Sequence, residues 1–259
     1  MSLIGKHAVV TGGARGIGHA VASLLAREGV RVSIISRSVR RQDEMCHPER
    51  SREAAQSKGR DYFGVQADLT DREAIRRAFD ACREANGPIA VLVNNSGIAE
   101  SAPLARTSDA IWDRTIATNL TGTFLCTREV VEEMIAARWG RIVNIASIAG
   151  LEGAPYIAAY CASKHGVVGL TRAIAAELAG TGVTANAVCP GYTETEMMQR
   201  AIENITSRTG RSEASTRELM ATGNPQGRIA TAEEVAQGVV ALIDGAQSGM
   251  AIVIPSPAS

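Results

Sequence analysis

The sequence HAVVTGGARGIGHAVASLLAREG, residues 7–29, carries the clearest indication of the fold. Its first five residues form an apolar run typical of a buried strand, and its second half has the spacing of an amphipathic helix that ends at Gly29. The glycine turn between them has the pattern Gly12-x-x-x-Gly16-x-Gly18. Glycines let the backbone approach a pyrophosphate, and a helix N-terminus supplies N–H donors and partial positive charge. The order strand, turn, helix therefore predicts a dinucleotide-binding α/β fold, although a tight strand–helix connection alone would also use glycines.

Further strands and helices alternate along the rest of the chain. Apolar runs predict strands at residues 30–36, 61–66, 89–93, 141–146, 183–188 and 250–254. Helical patterns cover about residues 71–85 and 108–138, a segment that ends near 179, and a segment that begins at Thr231 with a capping sequence. The alternation predicts a parallel sheet with right-handed crossovers, and no composition break divides residues 1–259 into two domains. Residues 38–60 are polar and mixed in charge, and we interpret them as a surface helix with an irregular lead-in.

The composition excludes several classes of protein. Lys plus Arg and Asp plus Glu each number 27 among 259 residues, so no global field favours nucleic acid or an anionic membrane as a partner. The five cysteines are scattered and lack metal-ligand spacing, which predicts reduced thiols in a cytoplasmic protein and no metal site. No apolar run is long enough to span a membrane, and we expect no targeting segment before the first strand.

Residues 147–164, SIAGLEGAPYIAAYCASK, can place a hydroxyl, a phenol and an ammonium around one carbonyl group. Tyr160 and Lys164 are four residues apart, so on a helix they share one face. An adjacent ammonium favours the phenolate, and we expect Lys164 to lower the pKa of Tyr160 so that it can act in acid–base catalysis near neutrality. Ser147 follows an apolar run, at the strand end where open parallel sheets bind ligands. Tyr-x-x-x-Lys alone is a weak indication, because any exposed helix can carry it.

The end of the second predicted strand indicates which nucleotide is bound. Dinucleotide folds that bind NAD place an acidic residue about twenty positions after the glycines. This chain has Ser36 and Arg37 there instead. A hydroxyl and a guanidinium suit a 2′-phosphate, and Arg15 in the glycine turn could close on it from the other side. We therefore predict NADP in preference to NAD, with ordinary surface arginines as the alternative reading.

Further motifs follow in order along nearly the whole chain. The full set is Thr11-Gly-Gly-Ala-Arg-Gly-Ile-Gly18, Asp68, Asn94-Asn-Ser-Gly97, Asn119, Ser147, Tyr160-x-x-x-Lys164 and Pro190-Gly-Tyr-Thr-Glu-Thr195. Together these motifs resemble the short-chain dehydrogenase/reductase family in its compact, single-domain form. The resemblance implies a Rossmann-like, doubly wound α/β fold with a seven-stranded parallel sheet and a nicotinamide cofactor across the strand ends. It also implies a homo-oligomer, a tetramer or dimer, although the tail Ile254-Pro-Ser-Pro-Ala-Ser259 departs from the family's usual end.

The resemblance assigns roles to individual residues. The catalytic residues would be Asn119, Ser147, Tyr160 and Lys164. Ser147 would hydrogen-bond the substrate oxygen, Tyr160 would transfer the proton, and Asn119 would anchor a water that connects Lys164 to bulk solvent. The Asn119 position lies inside a predicted helix, where Asn is unfavourable by propensity, so we expect a local role for it, with a solvated side chain as the alternative. Asn94 would line the cofactor cleft. The cofactor-binding residues would be Gly12, Arg15, Gly16, Ile17, Gly18, Ser36, Arg37, Asp68, Leu69, Asn95, Gly97, Tyr160, Lys164, Pro190, Gly191, Thr193 and Thr195.

Residues from about 192 to 224 are the least regular long segment, and in this family the corresponding segment forms the substrate lid. Its arginines could recognise an anionic thioester carrier, although solvated surface charge is the commoner explanation. These are Arg200, Arg208, Arg211 and Arg217. We predict an NADP-dependent oxidoreductase that interconverts a ketone and a secondary alcohol, preferably of the 3-oxoacyl type. The alternatives are an NAD-dependent secondary alcohol or 3-hydroxyacyl dehydrogenase and a nucleotide-sensing protein without turnover.

Overall fold

The computed structural model describes residues 2–38 and 62–254, and the surface helix predicted within residues 38–60 falls almost wholly outside them. The strands are β1 (His7–Thr11), β2 (Arg31–Ser36), β3 (Phe63–Gln66), β4 (Ile89–Asn94), β5 (Gly140–Ile145), β6 (Val183–Pro190) and β7 (Ala251–Ile254). They form one parallel sheet in the order β3-β2-β1-β4-β5-β6-β7. The prediction of a seven-stranded parallel sheet is confirmed. The strand order reverses between β1 and β4, which is the place where doubly wound sheets bind ligands.

Helices connect the strands in the alternating order that the sequence predicts. They are α1 (Gly16–Arg27), α2 (Arg72–Asn86), α3 (Asp109–Ile116), α4 (Gly122–Ala136), α5 (Ala158–Glu177), α6 (Glu196–Thr209), α7 (Glu213–Thr222) and α8 (Ala232–Asp244). The helix predicted over residues 108–138 consists of α3, a π-helical turn at Ala117–Thr121, and α4. The predicted cap of α8 is confirmed, because Thr231 and Glu234 each accept a hydrogen bond from the other's backbone N–H.

The two faces of the sheet are covered by different sets of helices. In β1, Ala8 and Val10 pack with residues of α1 and α8, whereas Val9 packs with residues of α2 and α4 on the other face. All five residues of β1 are buried, as expected for a parallel strand covered on both sides. The helices therefore close both faces and leave the C-terminal edge of the strands for a ligand.

Two strand boundaries differ from the sequence prediction by two residues, and the others differ by at most one. β6 runs two residues further than predicted, because Cys189 and Pro190 pair with Val253 and Ile254 of β7. β3 begins at Phe63, two residues later than predicted. Both differences lie at strand ends, where hydrogen bonding to a neighbouring strand decides the boundary and local sequence carries little information.

The described cysteines are consistent with reduced, packed thiols. They are Cys82, Cys126, Cys161 and Cys189, and each is buried and free. Within residues 2–38 and 62–254, no helix combines the length and the apolar character needed to cross a membrane.

A chain of buried polar side chains joins four elements near the C-terminal edge of the sheet. Asn94 Nδ2 donates to Asn144 Oδ1 (2.9 Å) and to Thr127 Oγ1 (3.1 Å), and Asn144 Nδ2 donates to Thr171 Oγ1 (2.8 Å). These side chains are at most 4% exposed. The expectation that Asn94 lines the cofactor cleft is wrong, because its amide lies in the core and bridges β4 to β5 and α4. Leaving one of these groups without a partner would cost about 1–3 kcal/mol, so the chain fixes how the four elements pack.

A second buried polar group, His7, is the first residue of β1 and lies at the N-terminal ends of the strands. Its Nδ1–H donates to the Gly87 carbonyl (2.7 Å), and the Ser33 hydroxyl donates to its Nε2 (2.8 Å). Asn86 Nδ2 in turn donates to Ser33 Oγ (3.0 Å). The neutral imidazole is thus fully hydrogen-bonded, and burial lowers the pKa of His7 from 6.5 to about 4.

We expect His7 to make the protein less stable in mild acid. Because the folded-state pKa is depressed, the unfolded chain binds a proton first as the pH falls. The stability that the neutral imidazole allows is fully present above pH 6.5 and is lost as the pH falls toward about 4. The loss amounts to roughly 3 kcal/mol. The measurement is the free energy of urea unfolding across this pH range for the wild type and for His7→Gln. Parallel pH profiles for the two proteins would contradict the prediction.

Candidate active site

Ser147 lies just beyond the C-terminal end of β5. Its Oγ accepts a hydrogen bond from the Ala149 N–H (3.1 Å) and so caps a 3₁₀ turn at Ile148–Gly150. The hydroxyl also lies 3.5 Å from the Pro190 carbonyl oxygen of β6, and it is near enough to the phenol of Tyr160 to lower its pKa. The capped turn therefore holds the Ser147 hydroxyl at the strand end, near Tyr160.

Tyr160 and Lys164 lie in the first two turns of α5. Lys164 is 4% exposed, and its Nζ lies 5.6 Å from the centroid of the Tyr160 ring. The same Nζ donates to the carbonyl of Ile145, the last residue of β5 (2.7 Å). Gly150 allows the turn after Ser147 to lie close to α5, since a Cβ at that position would lie 2.7 Å from the Lys164 carbonyl oxygen. The structure thus brings the hydroxyl, the phenol and the ammonium together at one edge of the sheet.

The pKa values at this cluster differ from the expectation. Burial raises the pKa of Tyr160 to about 12, and the nearby Ser147 hydroxyl offsets only part of the rise. Burial also lowers the pKa of Lys164 to about 8. The expectation that Lys164 lowers the pKa of Tyr160 is wrong for the chain alone. Desolvation of the phenolate outweighs attraction by an ammonium that is hydrogen-bonded to Ile145.

Asn119 lies in the π-helical turn and is 1% exposed. Its Oδ1 accepts from the Ile98 N–H and its Nδ2 donates to the Ile98 carbonyl, both at 2.9 Å. Nδ2 also donates to Ser163 Oγ (3.0 Å), next to Lys164 on α5. The wider turn thus accommodates an Asn with a local positioning role, which joins the loop after β4 to the helix that carries Tyr160. Ser163 is not recognisable from the sequence, because a helical serine has no distinctive local pattern.

The glycine turn is packed against the end of β4. Gly12 has φ +66°, and a Cβ there would lie 2.8 Å from Asn95 Nδ2. A Cβ at Gly18 would lie 2.4 Å from the same atom. Asn95 Nδ2 donates to the carbonyls of Thr11 (3.0 Å) and Gly12 (3.2 Å), and this is possible only because the turn lacks side chains. Gly97, which follows Asn95 and Ser96, lies near the proposed catalytic residues, since a Cβ there would lie 3.6 Å from Lys164 Nζ.

The N-terminus of α1, like that of α5, is a helix start at this edge without a side-chain cap. Its N-cap residue is Arg15, no side chain caps it, and its first turn holds no acidic residue. By contrast, side chains cap α2, α3, α6, α7 and α8. Uncapped N–H groups and the helix dipole favour an anion at this position. Ile17 is half-buried and packs in part against the core.

The residues predicted to select the cofactor lie near the glycine turn. The Gly12 N–H donates to the Ile35 carbonyl (2.7 Å), which ties the turn to the end of β2, where Ser36 and Arg37 follow. Ser36 is half-buried and Arg37 is exposed. Arg15 Nη1 instead forms an ion pair with Glu196 Oε2 of α6 at 2.7 Å, with more than half of each side chain exposed. Glu196 was not identified from the sequence.

Asp68 and Leu69 follow β3 and differ in accessibility. Asp68 is exposed, and its Oδ1 accepts from the Thr70 N–H and hydroxyl, both at 2.9 Å. Leu69 is 6% exposed and belongs to the core, so its side chain is unavailable to a ligand. Only the Asp68 carboxylate and the backbone of this pair can face a cofactor.

The segment after β6 carries the remaining predicted cofactor residues. Pro190 is buried within the strand, and Gly191 follows it. Thr193 is 5% exposed, and its hydroxyl donates to the Gly191 carbonyl (3.1 Å). Thr195 caps α6, and its methyl group would lie 3.4 Å from a Cβ at Gly16. The start of α6 therefore lies directly against the glycine turn.

Helices α6 and α7 lie within the segment that the sequence predicts to be the lid, and ion pairs within the chain engage two of its four arginines. Arg217 bonds to Glu194, Glu213 and Gln199. Arg200 lies 3.7 Å from the Glu196 carboxylate. Arg208 Nη1 donates to the Ser101 carbonyl of the loop after β4 (3.4 Å). The lid thus contacts the far side of the cleft through this arginine.

Asn224, just after α7, ties the start of the lid at Tyr192 to the loop before α8. Its role is not recognisable from the sequence. Its Oδ1 accepts from the Tyr192 N–H (2.6 Å), and its Nδ2 donates to the carbonyls of Tyr192 (2.8 Å) and Arg228 (2.7 Å). It is 4% exposed. The sequence Gly223-Asn-Pro225 is typical of any turn, so nothing local distinguishes this brace. In the part of the chain that the structure covers, no three His, Cys, Asp or Glu side chains cluster as metal ligands would.

Comparison with known proteins gives a consistent match. The sequence profile of the family described as short chain dehydrogenase matches residues 6–206. A putative granaticin polyketide synthase ketoacyl reductase 1 from Streptomyces violaceoruber is 40% identical over 91% of this chain and 85% of its own. A 2-(S)-hydroxypropyl-CoM dehydrogenase 3 from Xanthobacter autotrophicus is 39% identical over 90% of this chain and 88% of its own.

Solved structures show the same architecture. A variant of actinorhodin polyketide ketoreductase, crystallised with NADPH, superposes with a TM-score of 0.86 at 35% sequence identity. The match covers 96% of this chain and 95% of the ketoreductase. The doubly wound fold is therefore shared over nearly the full length of both chains.

We expect Tyr160 to remain a neutral phenol in the cofactor-free protein, because burial raises its pKa to about 12. The phenolate absorbance of the wild type and of Tyr160→Phe should therefore coincide from about pH 7 to about pH 10. The other three tyrosines are common to both proteins and cancel in the difference. A phenolate that forms below about pH 9 in the wild type alone would contradict the prediction.

Proposed function

The chain belongs to the short-chain dehydrogenase family, and we propose that it is an NADP-dependent oxidoreductase that interconverts a ketone and a secondary alcohol. The observation that carries the proposal is the cluster of Ser147, Tyr160 and Lys164 at the end of β5, where Lys164 Nζ bonds to the Ile145 carbonyl and lies 5.6 Å from the centroid of the Tyr160 ring. Such a cluster offers two O–H groups to one carbonyl oxygen. A nucleotide-sensing protein without turnover would have no need for it.

The protonation states of the cluster favour the reductive direction. At neutral pH the phenol of Tyr160 carries its proton, because its pKa is about 12. It can therefore donate that proton to a substrate oxygen that Ser147 positions by a hydrogen bond. Lys164, with a pKa of about 8, is still mainly an ammonium and would stabilise the phenolate that remains. A bound nicotinamide cofactor supplies or accepts the hydride.

The residues of the cofactor region fit a dinucleotide with a 2′-phosphate. The uncapped N-terminus of α1 offers N–H donors to a pyrophosphate, and Gly12, Gly16 and Gly18 keep side chains out of its way. Ser36 is the last residue of β2 and Arg37 follows it, at the place where an acidic residue would favour NAD. The similar ketoreductase that was crystallised with NADPH supports the same choice.

The substrate that we propose is a 3-oxoacyl compound, carried as a thioester. The ketoacyl reductase at 40% identity supports this class. Of the lid arginines, Arg208 and Arg211 have no ion pair among the described residues, so they are the ones that could bind an anionic carrier. The relative named as a dehydrogenase supports oxidation of a secondary alcohol as the second candidate. Assembly as a dimer or tetramer and a cytoplasmic location remain predictions.

We expect the purified protein to oxidise NADPH when a 3-oxoacyl thioester is added, and Tyr160→Phe to lower kcat by roughly 10²–10⁴-fold because the proton donor is lost. The measurement is the decay of NADPH absorbance, with an NADH run beside it. Tyr62→Phe is the matched control, since among the described residues the Tyr62 hydroxyl hydrogen-bonds only the Ser23 hydroxyl of α1 (2.9 Å).

Three results are informative here. Decay that prefers NADPH and disappears in Tyr160→Phe alone supports the reductase. If the protein does not oxidise NADPH but forms NADPH or NADH from a secondary alcohol and the oxidised cofactor, the result supports the dehydrogenase. Binding of NADPH with no turnover of thioesters, free ketones or alcohols would refute the enzyme and favour the sensor.

We expect Arg15 to bind the 2′-phosphate in competition with Glu196, its ion-pair partner in this structure. Arg15→Gln should weaken NADPH binding about tenfold with little change for NADH, because one charge-assisted hydrogen bond is lost. Glu196→Gln should strengthen NADPH binding about two- to fivefold, since exposed ion pairs contribute little. The measurement is a fluorescence titration of each reduced cofactor, with no substrate present.

Arg200→Gln is the control for this titration, because Arg200 also lies beside Glu196 but is on α6, away from the glycine turn. It should leave the preference for NADPH unchanged. Equal weakening of NADPH and NADH in Arg15→Gln, or a wild type that binds NADH as tightly as NADPH, would show that Arg15 does not read the 2′-phosphate.

A further inference from the structure

Tyr156 has an unusual backbone conformation. Its φ is +68°, and among the described residues only one other non-glycine residue, Arg138 with φ +51°, has a positive φ. The left-handed region is costly for side chains with a Cβ, and bulky residues are rare there. A tyrosine in this conformation therefore needs a compensating role, because glycine or asparagine would fit the backbone with less strain.

Packing in the core does not compensate for the strain. The Tyr156 side chain is 65% exposed, so little of its apolar area is removed from water by folding. The backbone does make a useful contact, since its carbonyl accepts from the Ala102 N–H (2.8 Å). That contact involves no side-chain atom and would be retained by any residue. The tyrosine ring itself therefore has no structural function that the fold requires.

The location of Tyr156 is on the rim of the cleft that contains the catalytic cluster. It lies four residues before Tyr160, in the loop that connects the turn after Ser147 to α5. Through Ala102 it contacts the loop after β4. The preceding residue of that loop, Ser101, accepts a hydrogen bond from Arg208 of the lid. Hydrogen bonds thus join the Tyr156 backbone to the loop after β4, and join that loop to α6, around the cleft.

Other segments of this rim also expose large apolar side chains. Leu151, in the same loop, is 37% exposed, and Tyr192 and Met197, at the start of the lid, are 41% and 42% exposed. Tyr192 lies close enough to Tyr160 to influence its pKa. Apolar side chains that remain exposed around a catalytic group are typical of a binding site for an apolar ligand. These apolar side chains favour a hydrocarbon chain over a sugar.

We infer that Tyr156 determines substrate specificity: its ring is part of an apolar wall that binds the acyl chain of the ketone substrate beyond the reacting carbonyl. The strained backbone keeps the ring at the rim, so the ring is already in position when the substrate arrives. This inference rests on the proposed function and adds to it the substrate class, medium-length or longer acyl chains in preference to short ones.

The test uses two substrates that differ only in chain length, the N-acetylcysteamine thioesters of 3-oxooctanoate and acetoacetate. Tyr156→Gly removes the ring and relieves the strain while it keeps the bond to Ala102. For this variant we expect the KM of the 3-oxooctanoyl thioester to rise about tenfold and its kcat to stay within about twofold. The KM of the acetoacetyl thioester should change less than about twofold. The melting temperature should not fall, because glycine suits a positive φ.

Arg138→Gly is the matched control. Arg138 is exposed, also has a positive φ, and lies between α4 and β5, at the edge of the sheet away from the cleft. This variant should keep its melting temperature and both KM values. Tyr156→Phe keeps the ring and the strain and should keep both KM values as well.

Three outcomes would overturn the inference: unchanged KM values in Tyr156→Gly, an equal rise for both thioesters, or a lower melting temperature, which would mark the tyrosine as structural. If the wild type reduces neither thioester nor any free ketone, the proposed function fails, and the inference fails with it. A wild type that reduces both thioesters, with Tyr156→Gly indistinguishable from it, would refute only the role of Tyr156.

Discussion

The buried hydrogen-bond chain from Thr127 through Asn94 and Asn144 to Thr171 is the constraint on which the site depends. Polar groups without access to water must keep their partners, so α4, β4, β5 and α5 cannot slide past one another without breaking it. The hydrogen bond from Lys164 Nζ to the Ile145 carbonyl is a second link between the same two elements, and it fixes α5 to the end of β5. The distances among the catalytic groups are therefore set inside the core, away from the substrate.

The periphery of the site is held much less firmly. The lid contacts the cofactor turn through the exposed Arg15–Glu196 pair and the far side of the cleft through Arg208. Exposed ion pairs contribute roughly 0–1 kcal/mol, which is small beside the cost of breaking a buried polar chain. Arg217 and Asn224, by contrast, hold the lid together internally and brace its ends. A lid with strong internal contacts and weak contacts to the cleft can move as a unit while the catalytic groups stay in position.

The burial that positions the catalytic groups also sets their chemistry. Desolvation makes the phenol of Tyr160 a weaker acid and the ammonium of Lys164 a stronger acid than in water, so the two pKa values move apart, to about 12 and about 8. The protein alone thus holds a neutral phenol, suited to donate a proton. The expectation of a low tyrosine pKa considered only the charge of the nearby lysine and omitted burial, which the spacing Tyr-x-x-x-Lys does not report.

The sequence by itself determined the parallel sheet, the position of the glycine turn and the family, because each of these follows from local patterns. A buried strand requires a continuous apolar run, a close turn requires glycines, and a helical face requires side chains four residues apart. It did not determine which of Asn94 and Asn95 enters the core, the partners of Arg15, or the roles of Ser163 and Asn224. It also could not show that Tyr156 has a positive φ. These features depend on groups far apart in the chain, as with Asn224 and Tyr192, and only the folded chain brings such groups within hydrogen-bonding distance. The tertiary structure also decided burial, and burial sets the pKa values on which the chemistry depends.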